Sequence, residues 1–271
     1  MSDLVTVELE AGIAEVTFNR GEKHNSLSLE MFEAIAAAVE RIHRDPQVRV
    51  VVLSGQGPSF CAGLDLGLMR QMIAGDAEAR RTTATLMRRD DGPDNLAQRV
   101  AYGWKSAPVP VIAAIRGAAF GGGLQIALGC DLRIAAPDAR FSIMEARYGL
   151  VPDMSISATL PELLPRDVAL ELTLTSRVLD AAEAHALGLV TRLAEDPLAS
   201  ARELAAIIAA RSPDAVRATK RLFNEAWRAE VARGLRLEEA LQVPLIGAPN
   251  QLEAVAAALE QRPPRFRDAE A

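Results

Sequence analysis

A chain of 271 residues, 49% hydrophobic and 24% charged with only 4% aromatic, has apolar material for one large core, or for a core with a smaller appendage, and needs neither metal nor disulfide to fold. Its formal charge of −6 favours solubility and argues against a general nucleic-acid or anionic-membrane surface. Cys61 and Cys130 have no metal-ligand or CxxC spacing, the first residues lack a signal-peptide layout, and no apolar run is long enough to span a membrane, so the expected setting is the reducing cytoplasm.

LVTVELEAGIAEVTFNR alternates at Val5, Val7 and Leu9, breaks at Gly12 and resumes at Ile13, which predicts a hairpin. The period lengthens in SLSLEMFEAIAAAVERIHRD, where Ser28 can cap a helix and Met31, Phe32, Ile35, Val39 and Ile42 share one face. VRVVVLSG is apolar without alternation and reads as a strand covered on both sides. A charged helical region follows from Ala62 to Asn95, closing in a Gly/Pro/Asp loop, then a helix in LAQRVAYGWKSA and a strand in VPVIAAIRG. FGGGLQIALGC predicts a loop turning into a helix, and DLRIAA another strand. The recurrence of strand, glycine-bearing turn and helix supports a covered α/β core. Pro197 marks a boundary between 1–196 and a helix-rich region, 197–271, whose amphipathic faces require the core or another subunit as partner.

Three short segments carry candidate chemistry. In SFCAGLDL, Gly63 permits a close turn, the amides of Leu64 and Asp65 can face a polar ligand, and Asp65 sits where a helix cap belongs. In AAFGGGLQIALGCD, successive glycines expose N–H groups at an incipient helix whose dipole favours negative charge. Neither GxGxxG nor GxxxxGK[ST] is present, so nothing points to NAD or ATP. In EARYGLVPD, Glu145 and Asp153 flank Gly149 and Pro152, which allow a turn aiming both carboxylates into one cleft; the plainer alternative is a helix cap at Asp153 and a core-edge ion pair at Glu145. His43 reads as exposed helix polarity and His185 as local packing or hydrogen bonding, and three scattered histidines compose no metal site.

In the order NRGEKHNSLSLEM, SFCAGLDL, IRGAAFGGGLQIALGCDLRIA, ARFSIMEARYGLVPD and AAEAHALGLV, the chain resembles the crotonase, or enoyl-CoA hydratase/isomerase, superfamily from Asn19 to Val190. The resemblance implies an α/β spiral of repeated ββα units with carboxy-terminal helices, an acyl-CoA substrate, no required cofactor or metal, and a homotrimer or dimer of trimers. Carried over by motif, the backbone amides of Leu64 and Gly122 form an oxyanion hole, and Lys23, His24, Ala62, Leu64, Asp65, Leu66 and Gly122 belong to the CoA-contact region. For Asp65 binding or capping is expected before acid/base work. Lys220, Phe266 and Arg267 are weaker candidates for CoA contact, and the segment from Leu68 to Asp91 for shaping the acyl pocket.

The hydratase pattern places one acid shortly after the glycine cluster and a second after the next strand. Here the first position is Gln125, which can orient water or a carbonyl but cannot serve as a carboxylate base. Glu145 matches the second, and Asp153 follows it with the spacing found in dienoyl-CoA isomerases. The leading expectation is enoyl-CoA isomerisation, with Glu145 the main acid/base group and Asp153 a second proton carrier or orienting group. Hydration of a 2-enoyl-CoA, with Gln125 orienting water or substrate, is the alternative. Acyl-CoA hydrolysis or dehalogenation with Asp153 as nucleophile, and a non-catalytic acyl-CoA scaffold, remain further alternatives.

Overall fold

The amino-terminal alternation folds as expected, and β1 (Val5–Glu10) pairs antiparallel with β2 (Ile13–Phe18) across the Gly12 turn. The computed structural model describes residues 3–90 and 92–269, for residue 72 the backbone only. The Ser28 hydroxyl caps α1 (Leu29–Arg44), accepting the Met31 N–H, and all five residues assigned to its apolar face are buried. Next come β3 (Val50–Gly55), α2 (Leu66–Ala74), α3 (Ala77–Leu86), α4 (Leu96–Ser106) and β4 (Val111–Ile115). Then follow β5 (Ala118–Phe120), α5 (Gly122–Gly129), β6 (Leu132–Ala135), β7 (Arg140–Ser142), α6 (Ile156–Thr159) and α7 (Arg166–Thr175). The remainder is β8 (Leu179–Asp180), α8 (Ala181–Leu187), β9 (Arg192–Leu193), α9 (Pro197–Ala209), α10 (Pro213–Ala226), α11 (Val231–Gln242) and α12 (Pro249–Leu259).

The main sheet has six strands in the order β1-β2-β3-β4-β6-β9, parallel from β2 onward. Parallel neighbours require crossovers, and α1, α2–α4 and α5 supply them. Because side chains alternate across a strand, Val51 and Leu53 of β3 join the core cluster that contains α1 and α4 residues, while Val50 and Val52 meet Ala201, Ala205 and Ala209 of α9. That two-sided cover is why β3 reads as continuously apolar. The helix opened by Pro197 thus packs on the sheet. A second sheet, β5-β7-β8, carries the turn that starts α5. Among the described residues no helix is long and apolar enough to cross a membrane.

Candidate active site

The two glycine segments are joined through their backbones. Cys61 N–H donates to Ala118 O at 3.0 Å, and Phe120 N–H to Cys61 O at 3.0 Å. Gly63 has φ +89°, and a Cβ there would lie 2.7 Å from Phe120 O and 3.7 Å from Gly122 N. At Gly123 a Cβ would lie 2.2 Å from Cys61 O, so only glycine lets α5 approach this closely. On its other side the first segment pairs with residue 27: Leu27 N–H donates to Gly63 O at 2.8 Å and Asp65 N–H to Leu27 O at 3.0 Å. That parallel bridge turns the Leu64 N–H to the opposite edge. Gly122 opens α5, before its first internal bond, Gln125 N–H to Gly121 O. Neither the Leu64 nor the Gly122 amide has an acceptor among the described residues. Both residues line one cavity of about 910 Å³.

The carboxylates meet at the same cavity. Glu145 begins a short 3-10 turn, Glu145–Tyr148, that Gly149 ends at φ +71°, and Leu150 N–H returns to Glu145 O. The chain then brings Asp153 back to the wall of the same cavity, near enough for its charge to act on Glu145. The cap position of α6 is Ser155, and Glu145 has no cation partner among the described ion pairs, so neither plainer assignment applies. Glu145 Oε1 lies 3.3 Å from where a Cβ on Gly121 would sit, which places the carboxyl beside the start of α5. Burial raises the Glu145 pKa and the Asp153 charge adds to this, against hydrogen bonds that include one from Gln125. Burial likewise raises Asp153. Asp153 is exposed at the cavity wall.

One wall is built by the segment from Arg20 to Leu27. Arg20 pairs with Asp65 at 2.8 Å, Ser26 Oγ donates to the same Asp65 oxygen at 3.0 Å, and Asp65 caps α2 through the Gly67 and Leu68 amides. Burial opposes the charge on Asp65, but Arg20, the Gly67 amide and Ser26 hold its carboxyl below the ordinary value. The capping expectation for Asp65 is thereby met. His24 Nδ1 lies 2.9 Å from Ser59 Oγ, and the His24 carbonyl accepts the Ala62 N–H. Lys23, His24, Ala62 and Leu66 all line the cavity, with Leu66 66% exposed. Phe32, Met69, Leu86, Met87 and Ala97 supply much of its apolar lining. The segment from Leu68 thus does contribute, although Asp91 at its end lies outside the described residues.

Several expectations need correction. Gln125 is 0% exposed and is not among the residues lining the cavity. Its Nε2 donates to Glu145 Oε1 at 2.7 Å and its Oε1 accepts the Met154 N–H at 2.9 Å. It therefore orients Glu145 and not the substrate, because a side chain one turn into α5 points behind the carboxylate. Lys220 is buried, donating to Trp104 O, Val109 O and Asp131 Oδ2, so it braces α10 and does not reach the cavity. Phe266 and Arg267 are held near Arg49 and Asn250 by backbone bonds and do not line it either. Burial pushes the thiols of Cys61 and Cys130 up to about 12, as packing residues require. His185 Nδ1 bonds Val190 O at 2.9 Å. Among the described residues no group of three or more His, Cys, Asp or Glu is placed to hold a metal. Sequence reasoning missed Arg20 and Met154. The position of Arg20 within NRGEKHN was a usable signal, whereas nothing local marks Met154.

The family model for "Enoyl-CoA hydratase/isomerase" matches residues 8–269. The rat protein "Methylglutaconyl-CoA hydratase, mitochondrial" is 32% identical over 268 residues, covering 96% of this chain and 81% of that protein. The solved enoyl-CoA hydratase from Bacillus anthracis superposes with a TM-score of 0.87 at 29% identity, covering 98% of this chain and all (100%) of that one. The solved enoyl-CoA hydratase from Polaromonas sp. JS666 gives 0.85 at 30% identity, covering 97% and 99%. These matches run the length of the chain and include the glycine segments and the Glu145 turn, and with them the expected α/β spiral fold is established. The chain belongs to the enoyl-CoA hydratase/isomerase family, whose enzymes act on acyl-CoA thioesters.

Proposed function

We propose that this protein hydrates a 2-enoyl-CoA thioester. The observation that carries the reading is the convergence, on one cavity, of the acceptor-free Leu64 and Gly122 amides with the buried Glu145 carboxyl. The thioester carbonyl sits between the two amides. Glu145 takes a proton from water as the water oxygen bonds C3, the C2–C3 π pair shifts to C1–C2 while the carbonyl π pair moves onto its oxygen, and the resulting enolate takes that proton from Glu145 at C2. Donors aimed at that developing charge act mainly in the transition state, and losing one costs about 3 kcal/mol. Burial that raises the Glu145 pKa brings the group nearer to the range where general acid and base work are both practical.

The sequence expectation placed double-bond migration first. The relatives named above carry hydratase names, and Gln125 tethers Glu145. A tethered carboxyl suits the short path from water at C3 to C2 more than a shuttle to C4. Isomerisation stays as the second reading on a specific observation: Asp153 lines the cavity beside Glu145, so a second carboxyl is available for the distal carbon. Exposed Trp227, Val231, Leu235, Val243 and Ile246 on and after α10 support assembly as a homotrimer or dimer of trimers.

The test is a product-resolved assay on a short panel of 2-enoyl-, 3-enoyl- and dienoyl-CoA thioesters in heavy-oxygen water. Hydration adds labelled oxygen to the product. Double-bond movement without added oxygen transfers the assignment to isomerisation, free CoA transfers it to hydrolysis, and tight binding without any turnover refutes an enzymatic role.

A further inference from the structure

Gln125 carries no charge and lies behind the cavity wall, but its hydrogen bonds constrain the chemistry in front of it. A primary amide has two different ends, and its orientation follows from its neighbours. The Met154 backbone N–H lies 2.9 Å from one end; since an N–H only donates, that end is the carbonyl oxygen. The other end is the NH2 group, 2.7 Å from Glu145 Oε1. An NH2 group also only donates, so Oε1 must accept. Glu145 Oε2 is buried without a hydrogen-bond partner among the described residues.

We propose that Gln125 is the positioning residue of Glu145, holding Oε1 as a standing acceptor so that the proton of the neutral Glu145 carboxyl resides on Oε2. An untethered carboxylate has two equivalent oxygens and a soft terminal torsion, and can be protonated on either. A carboxylate at position 125 would also accept from Met154, but would set oxygen against Oε1, and such a pair keeps a proton between its members. The amide removes that second protonation site. The charged groups around Glu145 are Asp153 across the turn, Arg147 on the turn itself, and Arg166, Asp167 and Glu171 on α7, which packs against that turn. Across the cavity stand Glu22, Lys23, His24, Arg70 and the paired Arg20 and Asp65. Of these, Asp153 is the one whose charge adds to the upward shift of Glu145.

The inference rests on Glu145 as the base of the proposed reaction, and its first test uses the full chain without substrate, so the two can fail separately. The Gln125 side-chain amide, isotope-labelled and assigned by its loss in Gln125→Glu, is followed by NMR while Glu145 titrates. Its hydrogen-bonded proton should stay displaced from the free-amide position throughout, because protonation occurs on Oε2 and leaves Oε1 an acceptor. Collapse to the position of a free amide in step with the titration would place the proton on Oε1 and overturn the proposal. The second test is kinetic. Gln125→Met removes the donor, so the acid-side fall of kcat/KM and the Glu145 titration should both move up by about one pH unit, because the anionic carboxylate, the stronger acceptor, loses more stabilisation than the protonated form. A lower plateau with an unmoved pH profile is the mark of a merely structural role and overturns it. Should Gln125→Met fail to fold, Gln125→Glu retains an acceptor for Met154 and decides the matter: two coupled steps with the upper one displaced upward are expected, and one unmoved step refutes.

Discussion

Replacing Gly63 by alanine probes the joint between the two segments that carry the proposed oxyanion donors. Gly63 has φ +89°, and the new methyl would lie 2.7 Å from Phe120 O, a backbone atom that cannot rotate aside. Holding alanine in the left-handed region costs about 1 kcal/mol by itself. Gly247, at φ +79° with nothing within 4 Å of its Cβ position, isolates that cost. The difference between Gly63→Ala and Gly247→Ala is therefore steric. Relieving the contact requires the two turns to part by several tenths of an ångström, which moves the Leu64 N–H away from where it must meet the oxyanion. Losing one such donor is worth about 3 kcal/mol, or roughly a 100-fold fall in kcat/KM. In urea unfolding Gly247→Ala should stay within about 1 kcal/mol of the parent, with unchanged kcat/KM on a short 2-enoyl-CoA. Gly63→Ala should lose at least about 2 kcal/mol and turn over about 100-fold more slowly. Equal behaviour of the two variants in both assays would refute the reasoning.

Glu145→Gln should reduce kcat by roughly 10²- to 10⁴-fold with little change in KM. Because burial raises the Glu145 pKa above its ordinary 4.5, the folded protein carries a cost for its charge at neutral pH that shrinks as pH falls through the raised value and is gone below about 4.5. Urea unfolding should thus find Glu145→Gln more stable than the parent at neutral pH, with the gap closing in acid; a gap that widens in acid contradicts the burial argument. Lys220→Met strands two carbonyls and Asp131, and should cost about 3 kcal/mol in the same assay without altering KM. A raised KM at unchanged stability would restore Lys220 to CoA contact. Asp65→Ala removes the α2 cap and the Arg20 partner, for a loss of about 1–2 kcal/mol. Since the folded Asp65 pKa lies below its ordinary 3.8, that loss should be full at neutral pH and shrink as pH falls through the folded value.

Much of the fold was legible from local pattern. The period of two in the hairpin, the Ser28 cap with its five apolar helical positions, and the uninterrupted run of β3 all encode burial directly in residue order. The Glu145 turn was legible for a similar reason, since Gly149 adopts the left-handed conformation that its place after a short turn requires. Lys220 misled because a lysine in an amphipathic helix looks solvated, and the three acceptors that bury it come from the end of α4 and from the loops before β4 and β6. Gln125 misled differently. Its residue type fixed what it could donate and accept, but not the direction in which it would do so.

The sequence alone determined which groups exist and how each segment curls: glycines that permit close approach, amides at the head of a helix, two acids separated by a turn. Those are properties of single residues and of neighbours along the chain. The tertiary structure decided which of them meet. The Cys61–Ala119 pairing joins the segments that carry the Leu64 and Gly122 amides, the returning loop brings Asp153 to the cavity that Glu145 lines, and the Met154 N–H fixes which end of Gln125 faces the carboxylate. Such long-range contacts leave no period or spacing in the sequence, because each depends on how separate elements pack and not on either element alone.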